Sequence, residues 1–505
     1  MFLVISYLEN LIPHIGLMSI ALIFMINAFY TRKFIALFTG VGLLFVAAYF
    51  TLFPLSEHSI LHLSCDLILI ALLTFPARQF TSRWAQILYL FISLVLFNTV
   101  HTTIKDWWHQ KPNQIALDKD NELLVEFNNI FNLQEWIVQH GKEYDITYPV
   151  FTPQNLYTKL DEYIAINLKA GADIAASKSQ LLAHRAIVHV EENEQLGIGL
   201  PQQIGSDQIQ NSSNTVNDPQ ASKQWAVQKL QLDKLHDLVG DVMISNHDDQ
   251  TIIAILDTGI DAQHEDLRDN YISLNKKYDH DPKGHGTHCA GIAGAVTGNN
   301  IGIASLLPPN SSIKITSVRA LNAFGMGNQK LLVNAMIEAV DAGADVLSIS
   351  IGGITNDERE RAYTEAVAYA QAQNVIVVVS AGNSALDARN ASPANIDGVI
   401  TVAAVNQDMK RSYFSNDVNN LKMGIAAPGE NIYSTIPKNK YDFKKGTSMA
   451  APFVSGCIGL MKHYNKDITA EDAYRIIKQT GIPLENDICV DPYAAMNELM
   501  RYYPN

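Results

Sequence analysis

At 505 residues the chain is long enough for several domains, and 48% of it is hydrophobic while only 17% is charged. Its 37 lysines and arginines stand against 51 aspartates and glutamates, a net charge of −14 with no basic tract, which excludes nucleic acid as a partner. Four cysteines are too few for a disulfide framework, so Cys65, Cys289, Cys457 and Cys489 read as free thiols.

The first hundred residues are almost uncharged, with apolar stretches at about 11–30, 34–53, 60–75 and 84–101. Two of these are long enough to cross hydrocarbon, and the other two are slightly short but extendable. A secretory signal needs only one such stretch, and a soluble bundle needs polar outer faces that these segments lack. Residues 1–104 therefore read as a transmembrane domain of four helices embedded in a lipid bilayer. Arg32 and Lys33 follow the first span, and Arg78 and Arg83 precede the fourth. The loop 54–59 carries Glu57 and no lysine or arginine. The positive-inside rule places the basic loops in the cytoplasm and everything after the fourth span on the opposite side. The expected location is a bacterial cytoplasmic membrane, crossed several times, with the C-terminal part on the periplasmic or extracellular face. His58, His62 and Asp66, at i, i+4, i+8 in the third span, read as outer-interface and within-bundle groups.

Residues 118–193 form a region with its own periodicity. Glu122–Phe127 alternates as a strand does, and Asn132 to Gly141 has a helix cap, an apolar period and a stop. Ile146–Phe151 and Glu162–Leu168 are further strands, Ser179–Arg185 a second helix, and Ala186–Glu192 a last strand. The order βαββαβ predicts a small α+β, ferredoxin-like domain. Residues 194–217, rich in Gln, Asn, Ser, Gly and Asp, read as an exposed linker.

Residues 218–505 carry the chemistry. Ile252–Leu256 is a buried-strand run that ends in Asp257, Thr258 and Gly259. Gly284-His285-Gly286 opens a helix of small residues. Val375–Val379 is another buried strand, and it leads to Ser380-Ala381-Gly382-Asn383. Gly446-Thr447-Ser448-Met449-Ala450-Ala451-Pro452 presents a serine at the mouth of an apolar helix over Val454–Met461. A serine hydroxyl is a weak nucleophile until a base takes its proton, and a histidine titrates near the working pH. Asp257 would hold that imidazole, and Asn383 with the Ser448 N–H would receive a developing oxyanion. His288, one turn after His285, reads as structural.

The order Asp257, His285, Asn383, Ser448 resembles the subtilisin-like serine proteases, the subtilases; that triad order is a known property of the family. The resemblance covers residues 218–505. It includes Gln224–Leu230 as a mature N-terminal segment, Val346–Gly353 as a substrate-binding strand, and the loops Phe414-Ser415-Asn416 and Ala427-Pro428-Gly429. Phe453 stands where a histidine is common and Ser305 where a glycine is usual; neither touches the triad.

The resemblance implies a doubly wound parallel α/β sheet and peptide-bond hydrolysis through an acyl-enzyme, with no catalytic cofactor. It implies that a protein or peptide substrate pairs with Ser350-Ile351-Gly352, with Ser380, Ala381 and Gly382 forming the opposite wall of the pocket. A structural calcium site is implied at Asp266, Asn299, Ile301 and Ile303, with Asp218 as a further ligand in some relatives. The region 118–193 is similar to the family's propeptides, which implies an intramolecular inhibitor, the alternative being a stalk domain; a zymogen would cleave itself in the linker, and an uncut enzyme would work tethered at the membrane. The competing expectation is a membrane sensor or scaffold that binds peptides on a non-cutting subtilase fold.

Overall fold

In the computed structural model the first sheet is built from strand β1 (Glu122–Phe127), β2 (Asp145–Thr147), β3 (Tyr163–Asn167) and β4 (Ile187–Glu192). Helices α1 (Ile130–His140) and α2 (Ile174–Leu182) connect them. The strands lie in the order β2-β3-β1-β4 with every pairing antiparallel, which is the split βαβ arrangement that the sequence predicts. Alternation along β1 buries both of its faces. Leu123, Val125 and Phe127 pack with Leu133 and Trp136 of α1 and Leu181 of α2. Leu124, with Tyr163 and Ala165 of β3, turns the other way into the core of the following domain.

Local caps shift two boundaries and a proline a third. Asn129 rather than Asn132 caps α1, because its side chain accepts from the Asn132 N–H at 2.9 Å. Helix α2 begins at Ile174 rather than Ser179, since Asp173 accepts from the Ala176 N–H. Strand β2 stops at Thr147, two residues before Pro149, which has no N–H for a ladder.

The structure describes residues 122–169, 171–198, 216–245, 250–355 and 360–503. The four predicted spans lie outside the described residues, and among the described residues no helix is long and apolar enough to cross a membrane. The stretch expected as linker begins differently. Strand β5 (Gln195–Gly197) is followed by a gap in the described residues and then by α3 (Trp225–Lys229) and α4 (Leu232–Ser245).

The second domain follows with β6 (Ile252–Asp257), α5 (His285–Gly294), β7 (Lys314–Arg319), β8 (Met326–Asn328), α6 (Gln329–Asp341), β9 (Val346–Ile349), β10 (Gly353–Ile354) and α7 (Arg361–Ala372). It ends with β11 (Ile376–Ser380), β12 (Ala391–Ser392), β13 (Ile400–Val405), β14 (Gly424–Pro428), β15 (Ile432–Ile436), β16 (Lys440–Lys444), α8 (Thr447–Tyr464), α9 (Ala470–Thr480), β17 (Ile482–Pro483), β18 (Ile488–Cys489) and α10 (Pro492–Tyr502).

The main sheet has the order β7-β6-β9-β11-β13-β14-β18-β17, parallel except for the last pair. Ile253 and Ile255 face a core shared with α5 and α8, while Ala254 and Leu256 face one shared with α6 and α7. Helices thus cover both faces of a parallel sheet, which explains its continuous apolar runs. The chain passes from β6 to the edge strand β7 and then back to β9 on the other side. Asp257 therefore sits at the carboxyl end of β6 where the winding reverses, the place at which such sheets bind ligands.

Candidate active site

Helix α5 is pressed against the end of β6. A Cβ on Gly286 would lie 2.2 Å from the Gly259 carbonyl and 3.1 Å from the Asp257 Cβ, so only glycine admits this approach. It brings His285 Nδ1 to 2.8 and 2.9 Å from the two Asp257 carboxylate oxygens, with both residues buried. A carboxylate only accepts, so Nδ1 carries the proton and Nε2 keeps its lone pair. Burial disfavours the imidazolium, but the charge of Asp257 outweighs it and raises the His285 pKa. Asp281 fixes the helix start by accepting from the N–H groups of Gly284 and Thr287 and the hydroxyls of Thr258 and Thr287. Sequence reasoning missed Asp281. Its signal was an aspartate within one turn of the helix start, a capping position.

Ser448 lies in the first turn of α8, and Pro452 stands one turn further on. Proline has no N–H, so the Ser448 carbonyl lacks its usual helical donor. That carbonyl accepts instead from the Ser350 hydroxyl at 2.9 Å and from the Cys289 thiol at 3.4 Å. Burial pushes the Cys289 thiol up, which keeps it protonated as a donor. The same sulfur lies 3.9 Å from His285 Nδ1, so one side chain touches both the serine and histidine segments. The Ser448 hydroxyl donates to the Ser350 carbonyl at 3.2 Å.

Asn383 is oriented by Thr447, whose N–H and hydroxyl both donate to Asn383 Oδ1, at 2.8 and 3.0 Å. Its Nδ2 lies beside Gly446, whose φ of 147° favours glycine. Gly382 also donates to Thr447, and Asn416 braces the loop through Ala381, Ser384 and Leu386. Asp257, His285, Ser448, Asn383, Ser350 and Gly382 are therefore linked through a short chain of contacts. Ser380, Ala381 and Ile351 are buried beside them. His288 is buried with Nε2 at 3.1 Å from the Asp442 carbonyl, a structural contact.

The edge beside Ser350 is occupied. Strand β5 pairs antiparallel with β8, and Gly197 exchanges main-chain hydrogen bonds with Gly352 at 3.3 and 3.4 Å. The Ile198 N–H donates to the Gly325 carbonyl at 3.1 Å. Because the pairing with Gly352 is antiparallel, Ile198 follows Gly197 in the direction of Ile351. The overlooked signal was Leu196 and Ile198, alternating apolar residues in a polar stretch.

The residues assigned to calcium also meet. Asp266 accepts from Asn299 Nδ2 and the Ile303 N–H, both at 2.8 Å, and Asn299 Oδ1 accepts from the Ile301 N–H at 2.7 Å. Asp218 accepts from the N–H groups of Gly298 and Asn299. Both aspartates are buried; burial raises each, Asp266 to about 7, with Asp218 and Glu265 adding to the effect at Asp266. Both carboxylates are met by neutral N–H donors, and oxygen ligands are the kind a hard divalent cation takes.

The family model described as "Subtilase family" matches residues 248–494. Over 253 residues the chain is 38% identical to thermitase of Thermoactinomyces vulgaris, covering 49% of this chain and 85% of that protein. It is 33% identical to subtilisin DY of Bacillus licheniformis over 239 residues, 46% of this chain and 84% of that protein. A crystal structure of the epidermin leader peptide processing serine protease of Staphylococcus aureus shares the fold, with a TM-score of 0.56 and 21% identity. That match covers 77% of this chain and all of that one. The strand-end aspartate paired to a helix-start histidine, and the serine braced beside them, are thus carried by a sequence alike to these enzymes over most of their length: the chain belongs to the subtilase family and is a serine endopeptidase.

Proposed function

We propose that the chain is a membrane-anchored, self-inhibited serine endopeptidase whose own residues 194–198 lie on the path of the substrate. Ser448 is the nucleophile and His285 Nε2 takes its proton. Asp257 holds the tautomer and stabilises the imidazolium that forms. Asn383 Nδ2 and the Ser448 N–H receive the oxyanion. His285 returns the proton to the leaving amine, and water, deprotonated by the same base, releases the acyl group. Ser350, Ile351 and Gly352 offer the main-chain edge, opposite a wall of Ser380, Ala381 and Gly382. Asp266, Asn299, Ile301, Ile303 and Asp218 would hold a structural calcium ion remote from the chemistry.

The observation that carries the self-inhibition is the two-way bonding of Gly197 with Gly352, in the register of an added strand. The βαββαβ domain that precedes it serves as a prodomain. Its Glu191 accepts from the N–H groups of Arg361 and Ala362, where α7 begins. Self-cleavage after β5 would separate the catalytic domain from the apolar N-terminal region, which anchors the precursor with its protease on the periplasmic or extracellular side.

An immunoblot of membrane and soluble fractions, with a C-terminal tag, tests this. Wild type should yield a shorter soluble fragment, while Ser448→Ala stays full length in the membrane. Full-length membrane-bound protein in both would remove self-processing.

A further inference from the structure

Strand β5 brings side chains as well as main chain into the cleft, and one of them is an acid. Leu196 is buried in the apolar core beside α6 and α7. Two residues earlier, Glu194 is only 4% exposed although it is a carboxylate. Its main-chain carbonyl accepts from the Gln329 N–H at 2.8 Å, and its side chain accepts from the Ser392 hydroxyl. Ser392 is wholly buried in β12, on the second domain. Tyr363 of α7 is wholly buried too, and its hydroxyl has no hydrogen-bond partner among the described residues. Burial, and then the charge of Glu194, raise the Tyr363 phenol, so this orphan donor lies in the field of that carboxylate.

The space for both side chains exists because β10 begins with Gly353. A Cβ there would stand 3.2 Å from Leu196 Cδ2 and 3.4 Å from Glu194 Oε1. A buried hydroxyl without an acceptor is costly, and a carboxylate offers several lone pairs and no competing donor. Hydrogen bonds to a charged acceptor are also the stronger kind.

We propose that the cleft holds a carboxylate subsite, formed by Ser392 beside Gly353, that selects protein segments with an acidic residue two positions before the apolar residue seated in the Leu196 pocket. The proposal rests on the reading of β5 as a substrate analogue. It names the substrate class as extended segments of the pattern acid-x-Leu-Gly-apolar. Glu194-Gln195-Leu196-Gly197-Ile198 is the chain's own copy.

The test is hydrolysis, by the full chain in detergent, of a quenched fluorescent peptide with the sequence of residues 194–201 and of versions with its Glu replaced by Gln or Lys. The expected order of kcat/KM is Glu, Gln, Lys, with about a tenfold loss at the Gln step from one charge-assisted bond. Ser392→Ala should erase the preference among the three peptides. Equal rates on all three peptides would overturn the subsite alone, and a preference that persists in Ser392→Ala would overturn its assignment. Cleavage of casein with none of the peptides cut would overturn the substrate-analogue reading, and the subsite with it. The wild-type peptide series stands by itself if the Ser392→Ala variant does not fold.

Discussion

Ser448 needs a base with a free lone pair, and the surroundings of His285 set the pH at which that lone pair exists. The buried Asp257 charge raises the imidazole, so its neutral form appears only above the ordinary value of about 6.5. Hydrolysis should therefore rise with pH, and the midpoint of kcat/KM against pH for a neutral peptide should lie above 6.5. Asp257→Asn should move that midpoint down while lowering kcat by about 10⁴-fold, since the amide no longer enforces the Nδ1–H tautomer. An unmoved midpoint would mean that Asp257 does not control the base. Asp257, His285, Asn383 and Ser448 were legible in the sequence because each sits in a short local string of strand end, glycine and small residues. Their supports were not. Asp281 is an ordinary aspartate until the fold turns it onto the helix start. The bond from Cys289 to the Ser448 carbonyl joins residues 159 positions apart.

Elements divide in the same way. The strands of the main sheet were legible because burial on both faces leaves continuous apolar runs, as in β6 and β11. The alternating β1 was legible too, and its partners followed from element order. Strand β5 was not, because three residues have no period of their own, and their ladder is made with residues 326–328, far along the chain. Its stability comes from Leu196 and from the bonds made by Gly197 and Ile198. Placing a charge at Leu196 would bury it without a partner, at a cost of several kcal/mol. In the Ser448→Ala background, Leu196→Asp should strip hydrogen-exchange protection from the Gly197 and Ile198 amides while leaving β6 protected. Retained protection would show that β5 is held by its main chain alone.

On the scale of the whole molecule, the pair Asp218 and Asp266 ties the start of the catalytic domain to its interior loops. The Asp266 pKa is raised to about 7, above the ordinary aspartate value of about 3.9. Its protonated form therefore stabilises the fold fully below about 3.9, and that contribution is lost as pH rises through about 7. In chelator, Tm should fall over this window. Added calcium should restore it above pH 7, and Asp266→Asn should flatten both effects. An identical Tm with and without calcium at pH 8 would exclude a cation there. The N-terminal apolar segments read as spans by length alone and lie outside the described residues. The chain between β4 and β5 is only two residues long. That short connector keeps β5 with the domain before it, and on the proposed self-inhibited reading both are joined in one chain to the catalytic domain, so in the uncut precursor the inhibitor is present at an effective concentration that no dilution or expression level can change. Occupancy of the cleft before any cut is then set by folding alone. After a cut it becomes an ordinary bimolecular equilibrium, so one bond separates latency that is independent of concentration from latency that fades as the pieces diffuse apart.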